Sequence, residues 1–428
     1  MSWIRNAAAL TLAALLPAPM AGQESPPLLP SPLPLAWCLA RAEQANPSVA
    51  ADEAAAQAAF HRIRPAGSLE DPRFRSELVN LPTGAGDLQS TPMSGILFGL
   101  SQKLPFPGLL ASREAAARAG ARAARAQVED RRRRIRAAVE QAWSELGFAQ
   151  RALDITDSNL ELVRQLAEIA AARYRVGSGR QQDVLRAQVT LTQLLDERLR
   201  RRAAIRTAEA RLASLLDLPP ESRFGRTEEL GEKAPLPDLD PVLAHLEEES
   251  PRLQALAERV REAERRRRAT QLEGYPDFDL GLGYRVRQKI PMDPVQGDDF
   301  ISAGVVVRLP VNRAKWREKV AERDAELRRA RAAYRQERAR LRDAARAAFA
   351  ALARADGQVE LLETGLVPQA EQSLESNRAG YQVDKVDFLS LIDSQVSLLD
   401  AELRRLRAVA DRREAFAALE AALGKELR

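Results

Sequence analysis

The sequence predicts a mainly α-helical chain with a small transmembrane β part, built as a tandem duplication of long helical hairpins. Three observations carry this reading. A set of landmarks is written twice at nearly constant spacing, two Ala/Arg/Glu-rich stretches run far beyond the length of a globular helix, and short segments alternate strictly between apolar and polar residues. The expected divisions are an export signal over 1–22, a first repeat over 23–230 and a second over 231–428.

The repeat comes first because it organises everything else. Asn46-Pro47 recurs as Ser250-Pro251 and Asp71-Pro72 as Tyr275-Pro276, both at an offset of 204. Leu104-Pro105 recurs as Leu309-Pro310 at 205, and Tyr174 and Gln188 recur as Tyr381 and Gln395 at 207. Four landmarks in the same order define two halves that join near Gly231 to Pro237. Solenoid units run about 20 to 50 residues, so each half here is a substantial unit of its own.

At the N-terminus, Arg5, an apolar run from Ala7 to Leu16 and small residues at Ala18, Ala21 and Gly22 read as a cleaved signal, with the cut expected between Ala18 and Gln23. No later apolar run reaches the roughly 20 residues of a spanning helix, so any membrane crossing must use strands. Cys38 is the single cysteine, which excludes an intrachain disulfide. Trp37 precedes it where a lipid-attachment site needs a small residue, so Cys38 is expected to be a small apolar helix residue without lipid.

Within each half the expected order is two helices, two strands, a very long helix, a tight turn and a returning helix. Strands are expected near 73–80 and 95–104, with a hairpin over about 109–216. The second half repeats this with strands near 277–288 and 299–309 and a hairpin over about 312–423. The helix from Leu109 to Arg175 contains no proline, and at 1.5 Å per residue it would extend roughly 100 Å. Its counterpart from Asn312 to Gly380 is expected to be equally continuous, with Pro368 near its far end. Along the last helix Leu389, Ile392, Val396, Leu399, Leu403 and Leu406 follow a coiled-coil spacing and are expected to form one buried seam.

The strands narrow the class. Phe278, Leu280, Leu282, Tyr284 and Val286 alternate with Asp279, Gly281, Gly283, Arg285 and Arg287, the pattern of a barrel strand with an apolar outside and a polar inside. Ile301 to Leu309 and Ile96 to Leu100 repeat it, and Phe74, Ser76 and Leu78 form a weaker version. Four strands cannot enclose a pore, whereas three copies would give twelve strands and close both the strand and the helix layers.

Composition removes other classes. The 65 basic and 60 acidic residues nearly balance, and aromatics are only 5%, which disfavours a nucleic-acid partner. The runs Arg131–Arg134 and Arg265–Arg268 lie among carboxylates and read as solvated helix faces. The two histidines, His61 and His245, stand far apart, and with one cysteine no metal cluster and no nucleophile–base pair is suggested. Both are expected to be ordinary surface or packing residues. The expectation is a conduit with no catalytic residues and no cofactor. A periplasmic adaptor and a structural coiled-coil rod stay open as alternatives at this point; the first would show a single hairpin, the second no alternating strands.

The duplication, the alternating strands, Leu104-Pro105-Phe106-Pro107-Gly108, and the paired turns Arg173-Tyr174-Arg175-Val176-Gly177 and Gly380-Tyr381-Gln382-Val383 together resemble the TolC-type outer-membrane efflux protein family, over essentially the whole mature chain. The resemblance implies a homotrimer in outer-membrane lipid, with a shared twelve-stranded barrel above an α-helical barrel in the periplasm. A periplasmic adaptor (membrane fusion protein) would join it to an inner-membrane pump for efflux or type I secretion. It further implies a periplasmic gate: Tyr381 as gate tyrosine, Asp183 as its partner, Asp393 in an acidic ring, with Tyr174 on the matching turn. A family position for a locking arginine holds Val386, next to Lys385, and a second acidic position holds Ser390, so the lock departs from the family pattern. Asp183 and Asp387 could equally cap helices. Val176, Gly177, Gly179, Val383 and Asp384 would form the adaptor-docking turns, and Pro105, Pro107, Gly108 and Pro310 would redirect each strand into its helix.

Overall fold

The structure, a computed structural model, describes residues 29–84, 88, 91–229, 238–290, 293–425 and 427. The expected signal over 1–22, the join near 231–237 and the side chain of His245 lie outside the described residues.

Helices α1 (Leu35–Ala45), α2 (Pro47–His61) and α3 (Ile63–Gly67) lead to strands β1 (Arg73–Val79) and β2 (Gly95–Leu104). Asn46 starts α2 because its side chain accepts the Ser48 amide at 2.9 Å while Pro47 needs no partner. The chain then runs through α4 (Leu109–Arg175), 67 residues without a break, and returns as α5 (Gln181–Leu215). The second half repeats the plan with α6 (Leu239–Glu249), α7 (Pro251–Glu273), β3 (Asp277–Val286) and β4 (Phe300–Arg308). Ser250 caps α7 ahead of Pro251, the counterpart of the Asn46 arrangement.

The descending helix of the second half departs from the expected continuous rod. It divides into α8 (Arg313–Leu361) and α9 (Val367–Gln382), separated by one π turn over Leu362–Leu366, before α10 (Phe388–Leu423) returns. Pro368 explains the break. Its ring would collide with the carbonyl of Thr364 in a regular helix, and it donates no amide; widening the preceding turn relieves both.

The four strands form one antiparallel sheet in the order β1-β2-β3-β4, so β1 and β4 are its edges. The register aligns Phe74, Leu100, Leu282 and Ala303 across the sheet, and Phe98, Tyr284 and Ile301 one step further. One face is therefore continuously apolar, yet in a single chain Phe74 is 70% exposed, Leu282 60% and Ile301 78%. Strand β2 spans its expected limits, and the other three stop slightly short of theirs. Asn80 turns left-handed (φ 54°) and ends β1, and the Arg287 amide leaves the ladder to donate to Asp299 at 2.9 Å, ending β3.

The main core lies about midway along the hairpins, where Trp143 of α4 is enclosed by α1, α5 and α10 and donates Nε1–H to the Leu33 carbonyl at 3.1 Å. Cys38 is fully buried there, which pushes its thiol pKa up to about 12. The seam of α10 differs from expectation. Phe388, Leu391, Ile392, Gln395, Leu399 and Leu406 face inward, whereas Leu389 and Val396 are 46% and 42% exposed. The heptad spacing holds two stripes, and a helix inside a layer of helices has a neighbour on each side, so one chain covers only one of them. Arginine runs are paired on the surface: Arg131 with Asp52, Arg132 with Glu53, Arg267 with Asp324. His61 is exposed and meets the Phe60 ring edge-on at 5.6 Å. Among the described residues no helix is long and apolar enough to cross a membrane.

Candidate functional site

The two hairpin turns come together at the end of the molecule remote from the sheet. In the first, Val176 follows α4 and Gly177 adopts φ +77°, letting the amides of Ser178 and Gly179 return to the Arg173 carbonyl, each at 3.0 Å. In the second, Val383 follows α9, Asp384 takes the left-handed conformation (φ 55°), and the Lys385 amide donates to the Gly380 carbonyl at 2.9 Å. Gly380 is required by space: a Cβ there would overlap the Val386 side chain.

Arg173 joins the turns. Its guanidinium lies 4.4 Å from the centre of the Tyr381 ring, donates to Asp384 at 2.7 Å and reaches the Tyr381 carbonyl at 3.4 Å. Tyr381 in turn lies 5.7 Å from the Phe388 ring, over a small core of Ala170, Ala187, Phe388 and Ile392. Burial pushes the Tyr381 phenol above its ordinary value; Arg173 opposes the rise and Asp183 adds to it. Asp183 is half-buried in the first turn of α5, where a carboxylate favours the helix dipole.

One turn higher, Asp393 on α10 meets Arg186 of α5 at 3.3 Å, a second link between hairpins. Asp387 is a helix cap, accepting the Ser390 amide at 2.9 Å, so α10 begins at Phe388. The Ser390 carbonyl accepts from Asn377 at 3.3 Å. Tyr174 and Lys385 are exposed. Deeper in the bundle, buried Gln395 donates to buried Asn159 at 2.6 Å, a polar bond between α10 and α4.

Sequence reasoning passed over Arg173, Arg186 and the Asn159–Gln395 pair. One signal was available for the first: at the offset of 207 that relates the turns, Arg173 corresponds to Gly380. The repeat is broken where a large cation on one turn meets the Tyr381 ring beside a glycine on the other.

At the opposite end, Gly108 (φ +87°) precedes α4, and the Leu109 amide donates to the Phe106 carbonyl at 3.1 Å, so Pro105, Pro107 and Gly108 turn β2 into the helix. Pro310 occupies the same place after β4, and Asn312 then caps α8 by accepting the Lys315 amide at 3.0 Å. Phe106 and Tyr275 stack at 4.6 Å between the two junctions.

A profile of the outer membrane efflux protein family matches residues 38–217 and 242–425, which is both halves of the chain. The chain belongs to that family. This efflux protein is thus an exit duct of the outer membrane, a channel and not an enzyme. Both open alternatives fall away. No curated protein matches it by sequence. Among solved structures it is similar to the outer-membrane channel OprN, with a TM-score of 0.77 and 18% identity, covering 92% of this chain and 90% of that one. It is similar also to VceC of Vibrio cholerae (TM-score 0.73, 19% identity, 92% and 97% covered) and to the open state of MtrE of Neisseria gonorrhoeae (0.76, 18%, 92% and 89%). At such identities the likeness carries the fold: long helical hairpins with a small four-stranded sheet.

Proposed function

We propose that three copies of this chain assemble into the working duct, with the turns described above as its periplasmic gate and as the docking surface for an adaptor. The observation that carries the trimer is the pair of open sheet edges. In lipid every strand amide must be paired, so β1 of one copy has to meet β4 of the next. Four strands per chain close with three copies into a barrel of about twelve, the smallest multiple of four that leaves a pore wider than an eight-stranded one. The exposed stripe Leu389/Val396 on α10 and Leu185/Val189 on α5 give the helices matching lateral surfaces.

In this reading Arg173, Tyr381 and Asp384 latch the second hairpin to the first, Val386, beside Lys385, and Ser390 stand where family members carry a lock and a second acid, and Asp393 and Asp183 set the charge of the constriction. Three symmetry-related carboxylates there would concentrate cations. Val176, Gly177, Gly179, Val383, Asp384 and the exposed Tyr174 present the tip to adaptor hairpins, and through the adaptor to an inner-membrane pump. Residues 1–22 would direct export and be removed from the mature chain. The burial of Cys38 supports a mature protein without lipid on that residue.

The native mass of the protein extracted in detergent from purified outer membranes tests the assembly. Three protomer masses are expected; a monomer overturns it.

A further inference from the structure

Below the sheet a cavity of about 420 Å³ opens between the start of α4, the end of α7 and the start of α8. Its size falls in the range of small-molecule sites, about 300 to 1,000 Å³. Lys103, Asp277 and Arg308, which line it, sit on the sheet face opposite the apolar one, as their register positions require. In the duct proposed above that face is the lumenal one, so these three side chains bring the cavity to the lumen.

Two kinds of surface meet in it. The stacked pair Phe106 and Tyr275 and the indole of Trp316 supply flat apolar walls, and Trp316 lies against Gly274, where a Cβ would come within 3.7 Å of the ring. The charges around them are almost fully committed. Glu70 holds Lys103 at 3.0 Å, Asp277 holds Arg308 at 3.3 Å, and Glu273 holds Arg113 at 2.6 Å. Lys315 is left over: its ammonium lies 5.6 Å from the centre of the Trp316 ring, and among the described residues no carboxylate stands within 4.0 Å of it. Lys319 approaches the same ring at 4.7 Å.

We propose that this cavity is a lumenal subsite for cargo that joins a flat apolar ring to a single negative charge, the ring lying between Tyr275 and Trp316 and the anion meeting Lys315. This rests on the trimeric duct proposed above and adds a cargo class to it. A neutral ring would gain the stacking alone, and a cation would be repelled by Lys315 and by Lys319 beside the same ring.

The test is calorimetric titration of the full-length protein in lipid nanodiscs with 2-naphthalenesulfonate, and separately with neutral 2-naphthalenemethanol. Saturable binding of the sulfonate at one site per chain is expected. Lys315→Gln should weaken the sulfonate about tenfold and leave the alcohol unchanged, whereas Trp316→Ala should weaken both. Absence of saturable binding, or equal behaviour of the two probes in Lys315→Gln, overturns the subsite. The native mass of the same preparation separates the two readings: a trimer without saturable binding overturns only the subsite, and saturable binding by a monomer overturns the duct and leaves the cavity a binding site with no lumen.

Discussion

Arg173 and Tyr381 are 208 residues apart in the chain yet in face-on contact, the guanidinium 4.4 Å above the ring, with Asp384 completing the grip at 2.7 Å. The ion pair is partly exposed, Arg173 at 29% and Asp384 at 80%, which limits it to roughly 0.5–1 kcal/mol per chain. Three identical latches acting together would still move a closed–open balance by about ten- to a hundredfold. Arg173→Ala is expected to raise resting conductance in planar bilayers within that range. Asp384→Ala should do less, because the ring contact remains, and high salt should mimic it. Wild-type conductance in Arg173→Ala would show that the contact holds nothing shut.

A second expectation concerns Cys38. Its thiol titrates at about 12 in the folded protein because burial opposes the thiolate, against 9.0 for the free group. The folded state therefore keeps its proton between those values while the unfolded state loses it. Stability contributed by this group is intact below about pH 9 and declines as pH rises towards 12. Unfolding midpoints measured from pH 8 to 10.5 should fall more steeply for the wild type than for Cys38→Ala. Native protein should resist iodoacetamide at pH 8 and react once unfolded. Rapid labelling of the native chain would contradict the burial.

The fold was largely legible because period and punctuation act locally. Alternation from Phe278 to Val286 and the proline-free run from Leu109 to Arg175 each need one interpretation only, and both are present as strand β3 and helix α4. What the sequence concealed depends on non-local partners. Nothing near Asn159 announces Gln395, 236 positions away, and a heptad pattern on α10 marks two stripes without saying which one its own chain covers. The turns show the same limit. Their positions follow from Gly177 and Gly380, but that Arg173 lies over the Tyr381 ring and donates to its carbonyl depends on how two hairpins meet.

The π turn yields a third expectation. Leu362–Leu366 exists to accommodate Pro368, and Arg405 of α10 tethers it through Glu363 at 3.6 Å. Pro368→Ala removes the collision and restores an amide donor, so a regular helix becomes possible at a gain of about 1 kcal/mol or more. Hydrogen exchange should slow across 360–368 in this variant. Unchanged exchange would assign the turn to packing against α10 and not to the proline.

The sheet gives the sharpest contrast, since neighbouring residues on β3 face opposite solvents. Leu282 belongs to the apolar face and is 60% exposed in the single chain, the position of a lipid contact. An arginine at the middle of the lipid face costs about 2–4 kcal/mol. Leu282→Arg should therefore deplete the heat-resistant oligomer in outer-membrane fractions. Gly281, one residue earlier, faces the other way, and a Cβ there would meet nothing closer than the Gly304 carbonyl at 4.0 Å. Gly281→Arg should assemble normally, because its side chain would extend into the lumen. Semi-quantitative gels of heated and unheated samples distinguish these outcomes. Equal loss from both substitutions would mean that the two faces share one environment, and the sheet would then have to be packed in protein on both sides and not wrapped around a pore.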